Sequence, residues 1–446
     1  MKSNKLYSVL FFVICSFHFV VNTQAQTTYT LQQCVDYALK NHRSLKVATN
    51  DVGVAYARKK EGQSAYFPQI NGIAKWDYNM QLQKSILPDE LTLPGSTSKE
   101  VAFGNKFNTI IGVQLDQFLY NKSFIDGINA VKPSYELAEL KKVKTEEDVI
   151  YNTITAYYQI LLINEQEKLL VLNENRLNKT LPIVKLQYEK GVAKKIDVER
   201  VQVNANNTVA QKEILNTNKE LAFNNLKYNM AMPLDAAISI DTNYTKEIVS
   251  LNTFSDTANI KNKIELRLLR KNLQLQNVLY KKTQAAYVPV LSFYTKYAGQ
   301  TLGNTFGESF KHWSPIAALG LKLDIPIFDG FRTASALKQS RFNIESIKEN
   351  IAMTEDGLKF QMKNASTKYT NAVANIDINK TNMELAKNIL EVITLQFQKG
   401  TIAYTELLSS ESAYKEAEAN YIRSYVDLLN AKLEIDKANG NLNNYK

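Results

Sequence analysis

The chain repeats itself once, and this internal duplication limits the folds open to it more than any other feature of the sequence. Three motifs of the first half return in the same order about 210 to 220 residues later. They are Ala65-Tyr66 with Pro68, which returns as Ala286-Tyr287 with Pro289; Gly112 with Leu115 and Asp116, which returns as Gly320 with Leu323 and Asp324; and Leu186–Gly191, which returns as Leu395–Gly400. Each half therefore has the same plan: helix, strand, loop, strand, very long helix, tight turn and helix.

The duplication sets the expected domain boundaries. Lys2 and Lys5 precede an apolar run that is too short for the roughly 20 residues of a spanning helix, so we interpret residues 1–25 as a signal peptide rather than a membrane anchor. The other predicted segments are a first repeat at 26–231 with strands 69–82 and 106–118 and a tip turn at 189–195, an equatorial connector at 232–260, and a second repeat at 261–446 with strands 290–300 and 315–327 and a tip turn at 398–403. A proline-containing stretch from 82 to 104 is expected to be an exposed loop.

The four strands are predicted from alternation of apolar and polar side chains with a period of two. The apolar positions are Ile70, Gly72, Ala74, Trp76 and Tyr78; Phe107, Thr109, Ile111, Val113 and Leu115; Leu291, Phe293, Thr295 and Tyr297; and Leu319, Leu321, Leu323 and Ile325. One such strand alone would favour a soluble sheet, but four long strands flanked by very long helices favour strands of a membrane barrel. Four strands cannot close a barrel, so several copies of the chain are needed.

The helices are the second constraint. Between Phe331 and Lys399 there is no proline, which predicts a helix of nearly 70 residues, or roughly 100 Å at ~1.5 Å per residue. The equivalent stretch of the first half, from Lys122 to Lys190, contains Pro133 and Pro182, where kinks are expected.

Apolar residues recur at heptad spacing along these helices. The first long helix carries Val149, Ala156, Ile163, Leu170, Leu177 and Val184; the last helix carries one seam through Ala417, Tyr421, Ser424, Leu428, Ala431, Ile435 and Ala438 and another through Ile422, Val426, Leu429 and Leu433. Two seams on one helix predict two neighbours, as in helices arranged side by side in a ring. A simple coiled-coil rod would explain the heptads but neither the strands nor the duplication.

Composition excludes several functions. After removal of the signal peptide the chain has one cysteine, Cys34, and two histidines, His42 and His312, so a disulfide framework or a cysteine–histidine metal site is not expected. The formal charge of +10 is spread along helices, which does not favour nucleic-acid binding. No Ser/His/Asp set and no glycine-rich phosphate loop is present, so we predict no enzyme, no catalytic residue, no metal and no cofactor.

The order of these features resembles the TolC-type outer-membrane efflux proteins over almost the whole mature chain. The motifs that carry the resemblance are the helix Leu31–Leu45, the Ala-Tyr-Xaa-Pro steps, the segment Leu323–Gly330 and the paired turns Tyr188–Val192 and Phe397–Thr401. The resemblance implies a mainly α fold with a membrane β-barrel: a trimer whose chains each give four strands to a 12-stranded outer-membrane barrel, above very long antiparallel helices that form a periplasmic α-barrel. A small mixed equatorial region would be built from the first helix, residues 232–260 and the C-terminus.

The resemblance also implies a function. The chain would be the outer-membrane exit duct of a tripartite efflux or type I secretion system, located in the outer membrane and extending into the periplasm. Its partners would be two further copies of itself, outer-membrane lipid, a periplasmic adaptor, and an inner-membrane pump or ABC exporter. The alternative is an elongated periplasmic or surface coiled-coil protein that binds partners without forming a channel.

The turns between long helices are the sites that the resemblance implies. Gly191, Val192, Gly400 and Thr401 would contact the adaptor, and Asp197, Glu406, Phe397 and Ile402 would form the periplasmic constriction. Asp197 and Glu406 could equally be first-turn acids that the helix dipole stabilises. Phe397, Ile402 and Ser409 replace the tyrosine, arginine and second acid of the family's best-known pattern, so we predict that apolar packing of Phe397 and Ile402 closes the tip.

Overall fold

The computed structural model describes residues 27–86, 100–102, 104–241 and 260–446. The predicted signal peptide, residues 87–99 and 103 of the predicted loop, and residues 242–259 of the predicted connector lie outside these ranges. In chain order the elements are β1 (Thr27–Tyr29), α1 (Leu31–Asn41), α2 (Arg43–Ser64), β2 (Gln69–Tyr78), β3 (Lys84–Ile86), β4 (Glu100–Ala102), β5 (Phe107–Tyr120), α3 (Lys122–Asn129), α4 (Val131–Glu189), α5 (Lys195–Met230), β6 (Ile238–Ile240), α6 (Ile264–Gln284), β7 (Val290–Gly303), β8 (Ser314–Asp324), α7 (Arg332–Gln398) and α8 (Tyr404–Asn439). The predicted mainly α fold with four long strands is confirmed.

The chain forms two compact units, and each draws on both sequence repeats. Of the described residues, those up to Val47, from 143 to 263 and from 356 to 446 form the helical unit, and those from 48 to 142 and from 264 to 355 form the sheet unit. These units are not the predicted repeats, whose boundaries at 231 and 261 stay a prediction: each repeat contributes its strand pair to one unit and its helical hairpin to the other.

The sheet unit is built on four antiparallel strands in the order β2-β5-β7-β8. Two predicted strand ends are wrong: the strand predicted over 69–82 ends at Tyr78, and the one predicted over 315–327 ends at Asp324. Pro326 follows the second end closely and has no backbone N–H for the ladder. The two central strands are longer than predicted, β5 to Tyr120 and β7 to Gly303, because Phe107 pairs with Gly303 and Tyr120 with Leu291.

The long second-half helix begins at a tight turn. Gly330 and Phe331 both have φ of 64°. The Asp329 carboxylate accepts a hydrogen bond from the backbone N–H of Thr333 at 2.9 Å and another from its hydroxyl. This carboxylate satisfies an N–H of the first turn, which otherwise has no partner within the helix. From there α7 runs unbroken for 67 residues, as the absence of proline predicts.

The equivalent first-half helix is divided. α3 ends at Asn129 and α4 starts at Val131, so Pro133 lies in the first turn of α4, where a missing N–H costs little. α4 continues through Pro182. The helix predicted over 31–45 also breaks, at His42, whose backbone is extended. In the part of the chain that the structure describes, no helix has an apolar stretch long enough to cross a membrane.

The helical unit has a large core at the end away from the turns. β1 pairs in parallel with β6, and the Tyr157 hydroxyl donates to the backbone carbonyl of Asp241 at 2.6 Å. α1, the segment after α5 and the C-terminus pack into one cluster with α4 and α8; its members include Leu31, Val35, Tyr157, Met232, Ile240, Leu429 and Leu442. The three segments predicted to form an equatorial region thus pack together in their described parts.

Most of the predicted heptad positions are buried within a single chain, and the others, Leu170 among them, are half-buried. In α4 Val149, Ala156, Ile163, Leu177 and Val184 are all buried. In α8 the two seams contact different neighbours: Leu429 and Leu433 join the large core, whereas Leu428 and Ala431 pack against Ala372 and the residues beside it on α7. The prediction of two neighbours for this helix is confirmed.

Candidate functional site

The two helical hairpins, α4–α5 and α7–α8, end in turns of the same geometry. Gly191 and Gly400 have φ of 74° and 72°. The Val192 N–H donates to the Gln187 carbonyl at 2.8 Å and the Gly191 N–H to the Tyr188 carbonyl at 2.9 Å. Thr401 and Gly400 make the same two bonds to Gln396 and Phe397 at 3.1 and 2.9 Å. These are Schellman caps, which end a helix with a left-handed residue and reverse the chain.

The residues at the apex of both turns face solvent in the single chain. Gly191, Val192, Gly400 and Thr401 are all exposed, and Val192 exposes 70% of its surface. No heavy atom lies within 4 Å of where a Cβ would stand on either glycine, so the left-handed backbone alone requires glycine. The apices are therefore open to a partner, and their contact with an adaptor remains a prediction.

Asp197 lies at the start of the return helix of the first hairpin. Its carboxylate accepts a hydrogen bond from the backbone N–H of Lys194 at 3.2 Å and lies 3.8 Å from the guanidinium of Arg200. Its side chain is only 16% exposed. These are the contacts of an acid that caps a helix N-terminus, one of the two interpretations left open by the sequence.

Glu406 occupies the corresponding position of α8, the third helical residue, but its side chain is exposed. The two predicted constriction acids therefore differ: Asp197 is held by its own helix end, whereas Glu406 points to solvent in the single chain. Of the pair, Glu406 is the one free to contribute charge to a passage.

Phe397 lies in the core of the tip and not at its surface. It is 3% exposed, its ring centroid is 5.9 Å from that of Tyr404, and both belong to a cluster that joins the two hairpins. The other buried members of this tip core are Leu177, Val184, Val201, Leu390 and Leu407. Ile402 is half-buried against the same cluster. Phe397 thus holds the hairpins of one chain together, which leaves little of its ring for closure between chains.

In the sheet unit, strand register collects the predicted apolar positions on one face. Ala74 pairs with Ile111, Ile111 with Gly299, and Thr295 with Leu319. This face is exposed: Ile70, Leu319 and Leu321 each expose about two thirds or more of their surface. The opposite face carries two ion pairs, Lys75–Asp77 at 2.8 Å and Lys322–Asp324 at 2.9 Å. The sheet thus has one apolar and one charged side.

Aromatic rings gather at the end of the sheet where β2 ends and β5 begins. Phe107 lies between Trp76 and Tyr78, with centroids 5.6 and 4.9 Å away, and Phe306 and Phe310 from the β7–β8 connection extend the cluster. Exposed aromatic residues flanking an apolar band are typical of strands at a membrane–water interface.

A second feature of the tip was not predicted from the sequence: a set of buried polar side chains just behind the apolar core. Seven residues beyond Tyr404 of the core lies buried Glu411, and seven residues further along α8 lies half-buried Glu418; both acids face Arg176 of α4. Acids at heptad spacing were the available signal, but heptad analysis considers only apolar residues.

Comparison with known proteins decides the family. The profile of the outer membrane efflux protein family matches residues 34–229 and 259–441, most of the chain. The chain belongs to this family. The outer membrane protein TolC of Vibrio cholerae is 19% identical over 426 residues, covering 92% of this chain and 91% of that protein. The alkaline protease secretion protein AprF of Pseudomonas aeruginosa is 20% identical over 291 residues, 64% of this chain and 60% of AprF.

A solved structure of an outer membrane channel has the same fold. The CmeC outer membrane channel of Campylobacter jejuni superposes with a TM-score of 0.73 at 19% identity, covering 92% of this chain and 85% of CmeC. The predicted family and the predicted location in the outer membrane are confirmed. As a member of this family the chain is an outer membrane efflux protein.

Proposed function

We propose that this outer membrane efflux protein is the passive exit duct of a tripartite efflux or type I secretion machine. Three copies close a twelve-stranded barrel in the outer membrane, and their long helices continue the passage into the periplasm. A periplasmic adaptor docks at the tips, and an inner-membrane pump or ABC exporter supplies the cargo. The duct itself carries out no reaction.

The observation that carries the proposal is the pair of unpaired strand edges beside an exposed apolar face. Within the described residues, β2 and β8 have 10 and 11 residues, and each pairs on one side only. In lipid an unpaired backbone N–H or C=O costs several kcal/mol, so such edges must be satisfied by another strand. Pairing β8 of one copy with β2 of the next closes the barrel and leaves the strand pairing within each chain unchanged.

The two faces of the sheet fit this arrangement. The face with Leu319 and Leu321 matches the lipid-facing side of a barrel strand, and the face with Lys75–Asp77 and Lys322–Asp324 matches a water-filled interior. Soluble proteins rarely expose a large contiguous apolar face, which disfavours the alternative of a coiled-coil binding protein without channel activity.

The inferred adaptor contacts are the exposed apices, Gly191, Val192, Gly400 and Thr401. Both hairpins reverse through the same cap, so an adaptor of repeating structure would meet similar surfaces around the ring. The relatives include TolC and a protease secretion protein, so cargo of either kind, small molecules or secreted proteins, fits the proposal.

The first experiment tests assembly and conduction. We expect the mature protein, purified from membranes in detergent, to have the mass of three chains by light scattering, and to give stepwise current in a planar lipid bilayer. A water-soluble monomer without affinity for bilayers would overturn the proposal and leave the coiled-coil alternative.

A pair of adjacent substitutions tests which face of the sheet meets lipid. Leu319→Lys places a charge on the apolar face, which costs about 2–4 kcal/mol near the bilayer midplane, so we expect little assembled trimer in the membrane. Ala318→Lys is the matched control on the opposite face and should assemble normally with altered ion selectivity. Equal tolerance of both changes would contradict the assignment of the faces.

A further inference from the structure

The polar side chains behind the tip core connect the two hairpins of one chain. The guanidinium carbon of Arg176, on α4, lies 5.6 Å from the centroid of the Tyr414 ring on α8. The Tyr414 hydroxyl donates a hydrogen bond to Glu418 at 2.9 Å. Glu411 lies one heptad before Glu418 and feels the charge of the same arginine. We call Arg176, Glu411, Tyr414 and Glu418 the clasp.

Glu411 of the clasp is buried and its other three residues are half-buried, and the group is incompletely bonded. Glu411 is only 6% exposed, and its Oε1 atom has no hydrogen-bond partner among the described residues. The same holds for the neighbouring Ser410 hydroxyl and for one terminal nitrogen of Arg176. A buried polar group without a partner is costly, and an ionised one more so. A helix seam built only for stability would place apolar residues here, as it does at Leu407 and Phe397.

Charged groups from every neighbouring helix surround the clasp. Arg176 of α4 faces both acids, Lys387 of α7 faces Glu418, and Glu391 of α7 faces Tyr414. Towards the tip, Asp197 and Arg200 of α5 face Tyr404, which in turn faces Glu411. Arg176 is therefore the only one of these cations that faces both acids of the clasp, while Lys387 acts on Glu418 alone.

We propose that the clasp is a charge-sensitive link between the two hairpins, tight when Glu411 and Glu418 are protonated and loosened when they ionise, and that it sets how far the tip can open. This inference rests on the proposed channel function. It assigns control of the tip to residues behind the apolar core rather than to its apex, where Phe397, Ile402 and Ser409 replace the tyrosine, arginine and acid of the pattern best known in the family.

The direction of the pH effect follows from burial. Desolvation raises the pKa of Glu411 against the opposing charge of Arg176. Desolvation also raises the pKa of Glu418, against the hydrogen bond from Tyr414 and the charges of Arg176 and Lys387. An acid whose pKa is higher in the folded protein stabilises it fully at low pH, and this contribution is lost as pH rises from the ordinary carboxyl range towards the raised pKa. The seam should therefore be tightest in acid and loosen as pH rises.

Hydrogen exchange of the detergent-solubilised protein tests the link without requiring conduction. After correction for intrinsic rates, we expect peptides covering 404–418 to exchange at least about five-fold faster at neutral pH than at about pH 5, a change equivalent to ~1 kcal/mol. Glu411→Gln combined with Glu418→Gln should abolish this pH dependence. Glu416→Gln, an exposed acid on the same helix, is the control and should keep it.

Removing the arginine gives an independent prediction. Arg176→Gln takes away the charge that stabilises ionised Glu411 and Glu418, so the loosening should move to higher pH. Single-channel recordings should show a matching pH dependence. The current through the wild-type channel should rise with pH, and the current through the protein with both Glu411→Gln and Glu418→Gln should stay at its low-pH level.

Two outcomes would overturn the inference. One is an equal pH dependence of exchange in wild type and in the doubly substituted protein; the other is its loss in Glu416→Gln. Failure of all variants to conduct would count against the channel function alone, because the exchange measurement would still report on the clasp.

Discussion

Replacing glycine by alanine should destabilise the protein at a tip turn and stabilise it inside a helix, so the same substitution can be tested at two sites with opposite expected effects. Gly400 has φ of 72° and no heavy atom within 4 Å of where a Cβ would stand, so Gly400→Ala meets only the backbone penalty. That penalty is about 1–2 kcal/mol for a left-handed residue. The lower entropy of the unfolded chain with alanine offsets about 0.4–1 kcal/mol of it. The net expectation is a loss of about 1 kcal/mol.

Gly357 lies inside α7 with a helical backbone, and it also has open space where a Cβ would stand. Gly357→Ala should therefore stabilise α7 by about 0.8–1.0 kcal/mol, the difference in helix propensity. The two variants differ by about 2 kcal/mol although each adds one methyl group that touches nothing.

Hydrogen exchange with mass spectrometry is the suitable assay, because it reports on each region of a detergent-solubilised assembly separately. Peptides spanning 395–405 should exchange about five-fold faster in Gly400→Ala, and those around 357 about five-fold slower in Gly357→Ala. Gly400→Asn should recover part of the loss, since asparagine tolerates the left-handed region. The assignment of the turn would be refuted if Gly400→Ala left the exchange rates unchanged, or if Gly400→Ala and Gly357→Ala changed the local exchange rates in the same direction.

Three further predictions concern other residues. Phe397→Ala should reduce the stability of the tip core by about 3–5 kcal/mol and speed hydrogen exchange in α4 near Leu177 and Val184. Lys399→Ala, on the surface, should leave these exchange rates unchanged. Equal exchange rates in the two variants would contradict the packing of Phe397. Glu406→Lys should shift the reversal potential in bilayer recordings towards anion preference, because it reverses the charge of a residue predicted to line the constriction; an unchanged reversal potential would exclude Glu406 from the passage. Burial raises the pKa of Cys34 to about 12, so its thiol should resist iodoacetamide at pH 8 until the protein unfolds, and rapid labelling of the native protein would contradict its position.

Periodicity was sufficient to predict the strands and the helices, because it depends on which side of an element is buried. Ile111 and Leu319 were assigned to an apolar face from alternation alone, and register places them there. The ends of the elements were less predictable. Where β2 stops depends on its partner β5. At the break at His42 the ring nitrogen Nδ1 accepts a hydrogen bond from the backbone N–H of Ser44 at 3.3 Å, a local contact that periodicity does not report.

The buried polar residues were missed for a different reason. A glutamate on a helix is normally solvated, and the heptad spacing of Glu411 and Glu418 was the one feature of the local sequence that separated Glu411 from exposed Glu416, five residues further along. Spacing alone does not say which way an acid faces. Only the position of Arg176, more than two hundred residues earlier on the other hairpin, shows that one of the two acids faces inwards. The same limit applies to Phe397, which the sequence placed at the passage and the structure places in the tip core.

The duplication did not leave two equal hairpins. The first turn is followed by an acid, Asp197, that caps its own helix and contacts Arg200, whereas the second is followed by Tyr404, packed on Phe397, and by exposed Glu406. In the proposed trimer, six tips would share one cap geometry but alternate between two surface chemistries. An adaptor that contacts only the glycine turns would bind all six tips alike. An adaptor that contacts the flanking side chains would bind only three of the six tips. Counting adaptor chains per trimer therefore distinguishes recognition of the backbone turn from recognition of the residues beside it.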